Sequence, residues 1–219
     1  MKNVILICTF IFYSLAAAAQ GWKPVNIDDS VQVSLPPGYE QKDTLGQTII
    51  NAKASFGNII ITKQPDNPAT TPDIEKVKHL NSYYDDFVKR ISSTSKGVVS
   101  AERDTILGKL RVRDFTLAVD SGSGKNFRNI RILHEAGATY TFQFLYKDIH
   151  EQYAKEESET FFNSIRIPPE AGLKTQFTQP ENTTGKTASS NNTLLIAAAG
   201  GLLILIIIIV VIRRRRRRH

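Results

Sequence analysis

Nineteen consecutive residues from Leu194 to Ile212 carry no charge, and the next six, Arg213 to Arg218, are all arginine. At about 1.5 Å rise per residue, a helix of that length measures roughly 28 Å, close to the roughly 30 Å hydrocarbon core of a bilayer. No other stretch constrains the chain so strongly. It predicts one C-terminal transmembrane helix, with Arg213–Arg218 retained on the cytoplasmic side and drawn to anionic lipid head groups. Within the span, Ala197 and Gly201 form a small-xxx-small pair, the pattern that lets two such helices pack closely as a weak dimer.

The opposite end agrees. Residues 1–19 read as a secretory signal peptide, with Lys2 as the positive start, Val4 to Leu15 as the apolar region and Ala17-Ala18-Ala19 as a small-residue cleavage site before Gln20. Cys8 lies inside this leader. It is not a lipoprotein cysteine, because Ile7 is not a small residue, so the mature chain is expected to have no thiol and no disulfide. The signal exports the N-terminus, the 194–212 span stops transfer, and Arg213–His219 stays inside. Residues 20–168 are then an extracytoplasmic domain, periplasmic or extracellular.

The formal net charge of +7 suggests nucleic acid at first sight, but six of those charges are the arginine run. Residues 21–168 hold 19 Lys and Arg against 19 Asp and Glu, a neutral region without a phosphate-binding surplus. Nucleic acid is not an expected partner.

Pro168-Pro169 closes the domain. Residues 169–193 are rich in Thr, Asn, Gln, Ser and Gly, too polar to offset chain entropy, and read as a disordered stalk. It carries two sequon matches, Asn182-Thr183-Thr184 and Asn191-Asn192-Thr193, which matter only in a host that glycosylates.

Within the domain, Trp22–Ile27 and Val31–Leu35 read as strands around an Asp28-Asp29-Ser30 turn, and Gln47–Phe56 with Ile59–Lys63 as a hairpin. Ile74, Val77, Leu80, Tyr84, Phe87 and Ile91 recur at helical spacing. Thr71 as cap and Pro72 at the first position place that helix at 72–94. Strands follow at 99–106, 110–119, 127–133 and 139–147. In the second of these the apolar parity changes from Leu110 and Val112 to Phe115, Leu117 and Val119, which predicts a bulge near Arg113-Asp114. Asp148 and Glu151 have the spacing of a capping box for a short helix that carries Tyr153, Phe161 and Phe162 inward. Ser164–Ile167 reads as a last edge strand. The fold class is α+β, an antiparallel sheet covered by helices, plus the C-terminal transmembrane helix.

The Trp22 strand, Val33-Ser34-Leu35-Pro36, the Tyr83-Tyr84…Phe87 helix, Tyr140-Thr141-Phe142 and Phe161-Phe162-Asn163-Ser164-Ile165 together resemble the PsbP-like fold over about residues 22–167. That fold occurs in a photosystem II extrinsic subunit, a nuclear Ran-binding protein and bacterial secreted domains. The resemblance implies a binding or assembly role and transfers no site residue.

Candidate chemistry is sparse. Ser121-Gly122-Ser123-Gly124-Lys125 is no phosphate-binding loop, since Val119 stands where the first glycine belongs and Asn126 follows the lysine; it reads as a hairpin turn. His79, His134 and His150 share no metal-ligand spacing, and His79 and His134 are expected to be solvated. No Gly-x-Ser-x-Gly elbow is present. Asp85-Asp86, Glu156-Glu157 and Glu159 read as a wet helix face. Tyr140, Phe142, Phe144 and Tyr146 share one strand face and read as core under Tyr84, Phe87, Phe161 and Phe162. No catalytic, cofactor-binding or metal-binding residue is assigned, and no cofactor is implied.

The functional expectation is a membrane-anchored, non-catalytic binding or assembly module that contacts an envelope protein or a small ligand. Two alternatives remain open. One is an envelope enzyme with a non-local active site. The other is a surface protein whose tail is a cleaved sorting signal, although no LPxTG-like motif precedes Leu194.

Overall fold

The computed structural model describes residues 21–122 and 124–178. The expected signal peptide, the Leu194–Ile212 span with Ala197 and Gly201, the arginine tail and most of the expected stalk lie outside the described residues. Among the described residues, no helix is long and apolar enough to cross a membrane.

A small hairpin opens the chain: β1 (Lys23–Asn26) pairs antiparallel with β2 (Gln32–Leu35). Its turn is held by Asp28, whose Oδ1 accepts the backbone N–H groups of Ser30 (2.8 Å) and Val31 (3.0 Å). Asp is favoured here because its short carboxylate reaches the backbone two residues on.

Seven further strands make the main sheet. They are β3 (Glu40–Thr44), β4 (Gln47–Lys53), β5 (Asn58–Pro65), β6 (Val98–Leu107), β7 (Leu110–Asp120), β8 (Lys125–Glu135) and β9 (Ala138–Lys147). Their spatial order is β3-β4-β5-β9-β8-β7-β6, and every neighbouring pair is antiparallel. Two links are two-residue turns with positive φ at both positions: Leu45 (51°) and Gly46 (76°), and Ala136 (49°) and Gly137 (72°). Such turns match the right-handed twist of the strands they join. β3 is an addition to the sequence reading. Its residues EQKDT are almost all exposed, so no apolar alternation announces it.

Helices cover the sheet from both sides. Helix α1 (Val77–Ser95) packs on one face, where Leu80, Tyr84 and Val88 meet Phe115 and Leu117 of β7 and Ile130 and Ile132 of β8. Helix α2 (Glu151–Asn163) and the β1–β2 hairpin cover the other, where Phe161 meets Phe142 and Phe144 at ring-centroid distances of 6.4 Å each. The aromatic strand face is thus core on the α2 side, with Phe142 and Phe144 fully buried. Of its expected covers, Tyr84 and Phe87 belong instead to the α1 face.

Burial on both faces also corrects the expected bulge in β7. That strand runs in regular register from Arg113 to Asp120 against β8, with Leu110 and Val112 turned to one layer and Phe115 and Leu117 to the other. The bulge lies in β6, between Ser100 and Arg103, at Ala101 with φ 52°. It brings Val99 and Asp104, residues of opposite parity, opposite Leu117 and Arg113, which share one parity.

Other boundaries move as well. Helix α1 starts at Val77 rather than Pro72, and Lys76, not Thr71, holds the cap position without a side-chain bond. Ile74 is drawn away from the helix: its N–H donates to Thr178 Oγ1 (2.8 Å) and its C=O accepts the Thr178 N–H (2.9 Å). Asp148 forms no capping box; it lies in a 3₁₀ turn, Asp148–His150, and accepts its neighbour Ile149 N–H. Tyr153 is 58% exposed rather than inward. In place of a last edge strand there is a single bridge, Gln32 to Arg166.

Residues 169–178, expected as the start of the stalk, belong to the folded domain. Ala171 and Gln176 are buried, and Leu173–Gln176 is a 3₁₀ turn. The Gln176 side chain accepts the Arg111 N–H (2.8 Å) and donates to the carbonyls of Arg111 (2.8 Å) and His134 (2.9 Å). The Thr175 carbonyl accepts the Ala136 N–H (2.9 Å). Polar hydrogen bonding holds this segment, together with Ala171 in the α2-side core and Phe177 against the α1-side core.

Two stability outcomes follow, each read by urea unfolding. Phe161→Ala, which empties the centre of the α2 layer, lowers the unfolding free energy by about 3–5 kcal/mol. A chain stopped at Pro168 is less stable than one stopped at Gln179 by about 1–3 kcal/mol for each buried backbone group that loses its Gln176 partner.

Candidate functional site

Some of the groups expected to be ordinary surface are tied to the fold, while Asp86, Glu156 and Glu159 are exposed as expected. His134 is fully buried, not solvated. Its Nδ1 lies 2.7 Å from the Gln176 carbonyl and its Nε2 3.0 Å from Asp66 Oδ2, and its backbone N–H donates to the Tyr84 hydroxyl (3.0 Å). Both ring nitrogens are occupied by acceptors. Burial pushes the Tyr84 hydroxyl pKa well up, with the His134 N–H bond opposing it. His79 lies on a half-buried flank of α1 with its Nδ1 buried and without a hydrogen-bond partner. Asp85 is not simply a wet-face carboxylate. With Glu102 and Asp104 it surrounds the Arg113 guanidinium, at 2.7 Å from Asp85 and 2.6 Å from Asp104. Burial acts to lower the Arg113 pKa, but the three carboxylates outweigh it and hold the cation charged.

Asp28 joins the hairpin to the sheet. Its Oδ2 accepts the Tyr140 hydroxyl (2.6 Å) and pairs with the Lys63 ammonium. Burial raises the Asp28 pKa, yet the hydrogen bonds from Lys63, Tyr140 and Ser30 prevail and leave it below its ordinary value of 3.8. Among the described residues, no three His, Cys, Asp or Glu side chains are placed to hold a metal ion.

One group stands apart. Arg128 on β8 is half-buried and makes no hydrogen bond or ion pair among the described residues, and burial alone pushes its pKa down. The cause is its register. Arg131, three residues on and on the opposite face of β8, has Asp114 opposite it and is held at 2.7 and 2.8 Å. Arg128 has Leu117 on one side and Leu145 on the other.

Arg128 lines a cleft of about 420 Å³ at the end of the sheet where β5 and β8 begin and β9 ends. That volume lies in the ~300–1,000 Å³ range of small-molecule sites. Asn58, Leu145 and Arg128 form one cross-strand row, and Lys147 and Asn126 the next. The β4–β5 turn, Ala54 to Gly57, forms one wall. Glu157 of α2 fixes it, accepting the N–H groups of Ser55 and Phe56 at 2.8 Å each. So Glu157, expected as plain wet surface, is a turn clamp. Phe56 stacks on Tyr153 at 4.9 Å and lies 6.1 Å from the His150 ring. Gly57 admits no side chain, since a Cβ there would come within 2.5 Å of the Phe144 ring. The cleft lining contains no carboxylate and no cysteine among the described residues. Ser121 to Lys125 is the β7–β8 turn at this same end, and the Lys125 N–H donates to Asp148 Oδ2 (3.3 Å).

A flatter depression of about 530 Å³ crosses the outer face of α2 at Glu156, Glu159, Thr160, Asn163, Ser164 and Arg166. Its polar groups are largely spoken for: Ser164 Oγ accepts the Ser34 N–H (3.0 Å), and Arg166 donates to the carbonyls of Asn163 and Ile165.

No protein-family model matches this sequence, and no curated protein sequence matches it. Solved structures do. The chain is similar to the solution structure of the cyanobacterial PsbP of Synechocystis, at 11% identity and a TM-score of 0.48, over 68% of this chain and 94% of that one. It is similar to a crystal structure from Bacteroides thetaiotaomicron, at 12% identity and a TM-score of 0.43, over 69% of this chain and 50% of that one. It is similar to the Ran-binding protein Mog1p of Saccharomyces cerevisiae, at 8% identity and a TM-score of 0.42, over 68% of this chain and 96% of that one. The first and third are the kinds of protein that the sequence resemblance names. The likeness is one of fold alone.

The Asp28 cluster gives a pH-dependent outcome. Because the folded pKa of Asp28 is below its unfolded value, its stabilising contribution is complete above the unfolded value and is lost as pH falls through the folded one. Asp28→Asn therefore lowers the unfolding free energy at pH 7 by about 1–3 kcal/mol. Urea midpoints of the two proteins converge as pH falls through the folded pKa of Asp28.

Proposed function

We propose that this chain is a single-pass, membrane-anchored, extracytoplasmic binding module that acts without catalysis and contacts its small ligand or envelope partner through the Arg128 cleft. The observation that carries the binding half is the Arg128 guanidinium, without a hydrogen-bond or ion-pair partner among the described residues, in a cleft whose described lining offers donors and apolar surface but no acid. A hydrolytic site needs a nucleophile held by a base. His150 and Ser55 both line the cleft, but no hydrogen bond joins them among the described residues, and the fully buried His134 has both nitrogens engaged by Asp66 and Gln176. The anchoring half rests on the apolar Leu194–Ile212 stretch and on Arg213–Arg218 beyond it.

Orientation is checked with cysteine variants of the full chain, which has a natural cysteine only at position 8. In intact cells a membrane-impermeant maleimide labels Lys42→Cys and leaves Arg216→Cys unlabelled until the cells are lysed. The inverse pattern overturns the anchoring. Turnover of a p-nitrophenyl ester or phosphate by the purified chain, abolished by one cleft substitution, overturns the non-catalytic reading.

A further inference from the structure

We infer that the Arg128 cleft is an organic-anion site: it takes a ligand that carries one carboxylate or phosphate group on a planar or apolar body. The inference rests on the binding reading above and names its ligand class.

Charge is the first argument. A guanidinium removed from water without a partner is destabilising unless something supplies the missing acceptors. Here the neighbours across both strand pairs are leucines, so the sheet supplies none. The adjoining row adds Lys147 and the amide of Asn126, and Asn58 lies beyond Leu145 on β5. Two cations and two amides converge with no lining carboxylate among the described residues. A guanidinium fork beside a lysine matches the geometry and charge of a carboxylate or phosphate.

The remainder of the cleft sets the other half of the ligand. Leu145 and Phe56 offer apolar surface within reach of the charged row. The Glu157 clamp and the Phe56–Tyr153 stack keep this wall in place before any ligand arrives, which reduces the ordering cost of binding. A bare inorganic anion would leave that surface unused.

Such an anion can come from a soluble molecule or from a lipid head group; the two share the charged group that Arg128 and Lys147 would meet, and the vesicle arm of the test below tells them apart.

The test uses the full chain in detergent and follows thermal unfolding and calorimetric titration. Phenyl phosphate and benzoate raise the unfolding midpoint, and inorganic phosphate binds at least about tenfold more weakly than phenyl phosphate. Arg128→Gln weakens phenyl phosphate binding by about tenfold or more, Arg128→Lys weakens it less, and Lys155→Gln on the exposed face of α2 leaves it unchanged. Without ligand, Arg128→Gln unfolds at the same or a higher temperature, because it removes an uncompensated cation; a folding defect is thereby told apart from a binding defect. Equal binding by wild type and Arg128→Gln, or a midpoint shift reproduced by sodium chloride at matched ionic strength, overturns the site. Inorganic phosphate as tight as phenyl phosphate overturns the apolar subsite. In a separate arm, chain in phosphatidylcholine nanodiscs is mixed with vesicles of equimolar phosphatidylcholine and phosphatidylserine. Arg128-dependent clustering there assigns the anion to a lipid head group, and phenyl phosphate binding without clustering assigns it to a soluble molecule. Failure of anion binding leaves the maleimide pattern untouched, so the two readings fall separately.

Discussion

Strand β9 is the last strand in sequence among the described residues and the middle strand of the sheet. The β3–β4–β5 meander and the β6–β7–β8 meander exchange no ladder hydrogen bonds with each other; each reaches the other only through β9. Every other layer depends on that insertion. Tyr140, Phe142 and Phe144 give α2 and the β1–β2 hairpin a surface to pack on, while Thr139 on the reverse face meets the Tyr83 hydroxyl at 2.7 Å. The backbone of a central strand must find partners on both sides, or two rows of polar groups stay buried and unsatisfied. The pairing of Asn58 with Leu145 spans most of the domain sequence, so the contact that completes the sheet is also one of its least local.

Hydrogen bonds between distant polar residues shape what β9 leaves unfinished. Gln176 supplies three bonds to the backbone at Arg111 and His134. Thr178 pairs with Ile74 across 104 positions. Glu157 reaches back to the turn before β5. These contacts decide where α1 starts, where the domain ends and how the cleft wall stands, and each uses a residue type that is ordinarily solvated.

That division explains what could be read in advance. Hairpins were legible where a short Gly-containing turn separates apolar runs, as at Gly108 and Ala136-Gly137. Helix α1 was legible from Leu80, Tyr84 and Phe87. Its first turn was not, because Pro72 and Thr71 favour a local start and the competing Ile74–Thr178 pairing lies far along the chain. β3 escaped because an edge strand exposed along its length has no period. The parity change in β7 reads in the sequence as a bulge, since one sequence cannot show that both faces of a strand are covered. Composition pointed the segment after Pro169 toward disorder, because the Gln176 bonds have no apolar signature. Arg128 had no motif at all. The only trace it leaves is in the register, where leucine stands opposite on both sides while Arg131 finds Asp114. Such a trace becomes visible once the strand pairing is known.

The two rims of the sheet are built to refuse extension. β3 shows solvent a row of Glu40, Gln41, Lys42 and Asp43, and β6 is kinked by its bulge at Ala101, with Arg103 and Asp104 beside it. Charged and bent margins discourage another chain from adding as an extra strand. Many copies held close together in one plane would thus be protected from zippering into a continuous ribbon. Whatever docks on this domain has to do so through loops, clefts or helix faces, which leaves recognition to side-chain chemistry rather than to backbone templating.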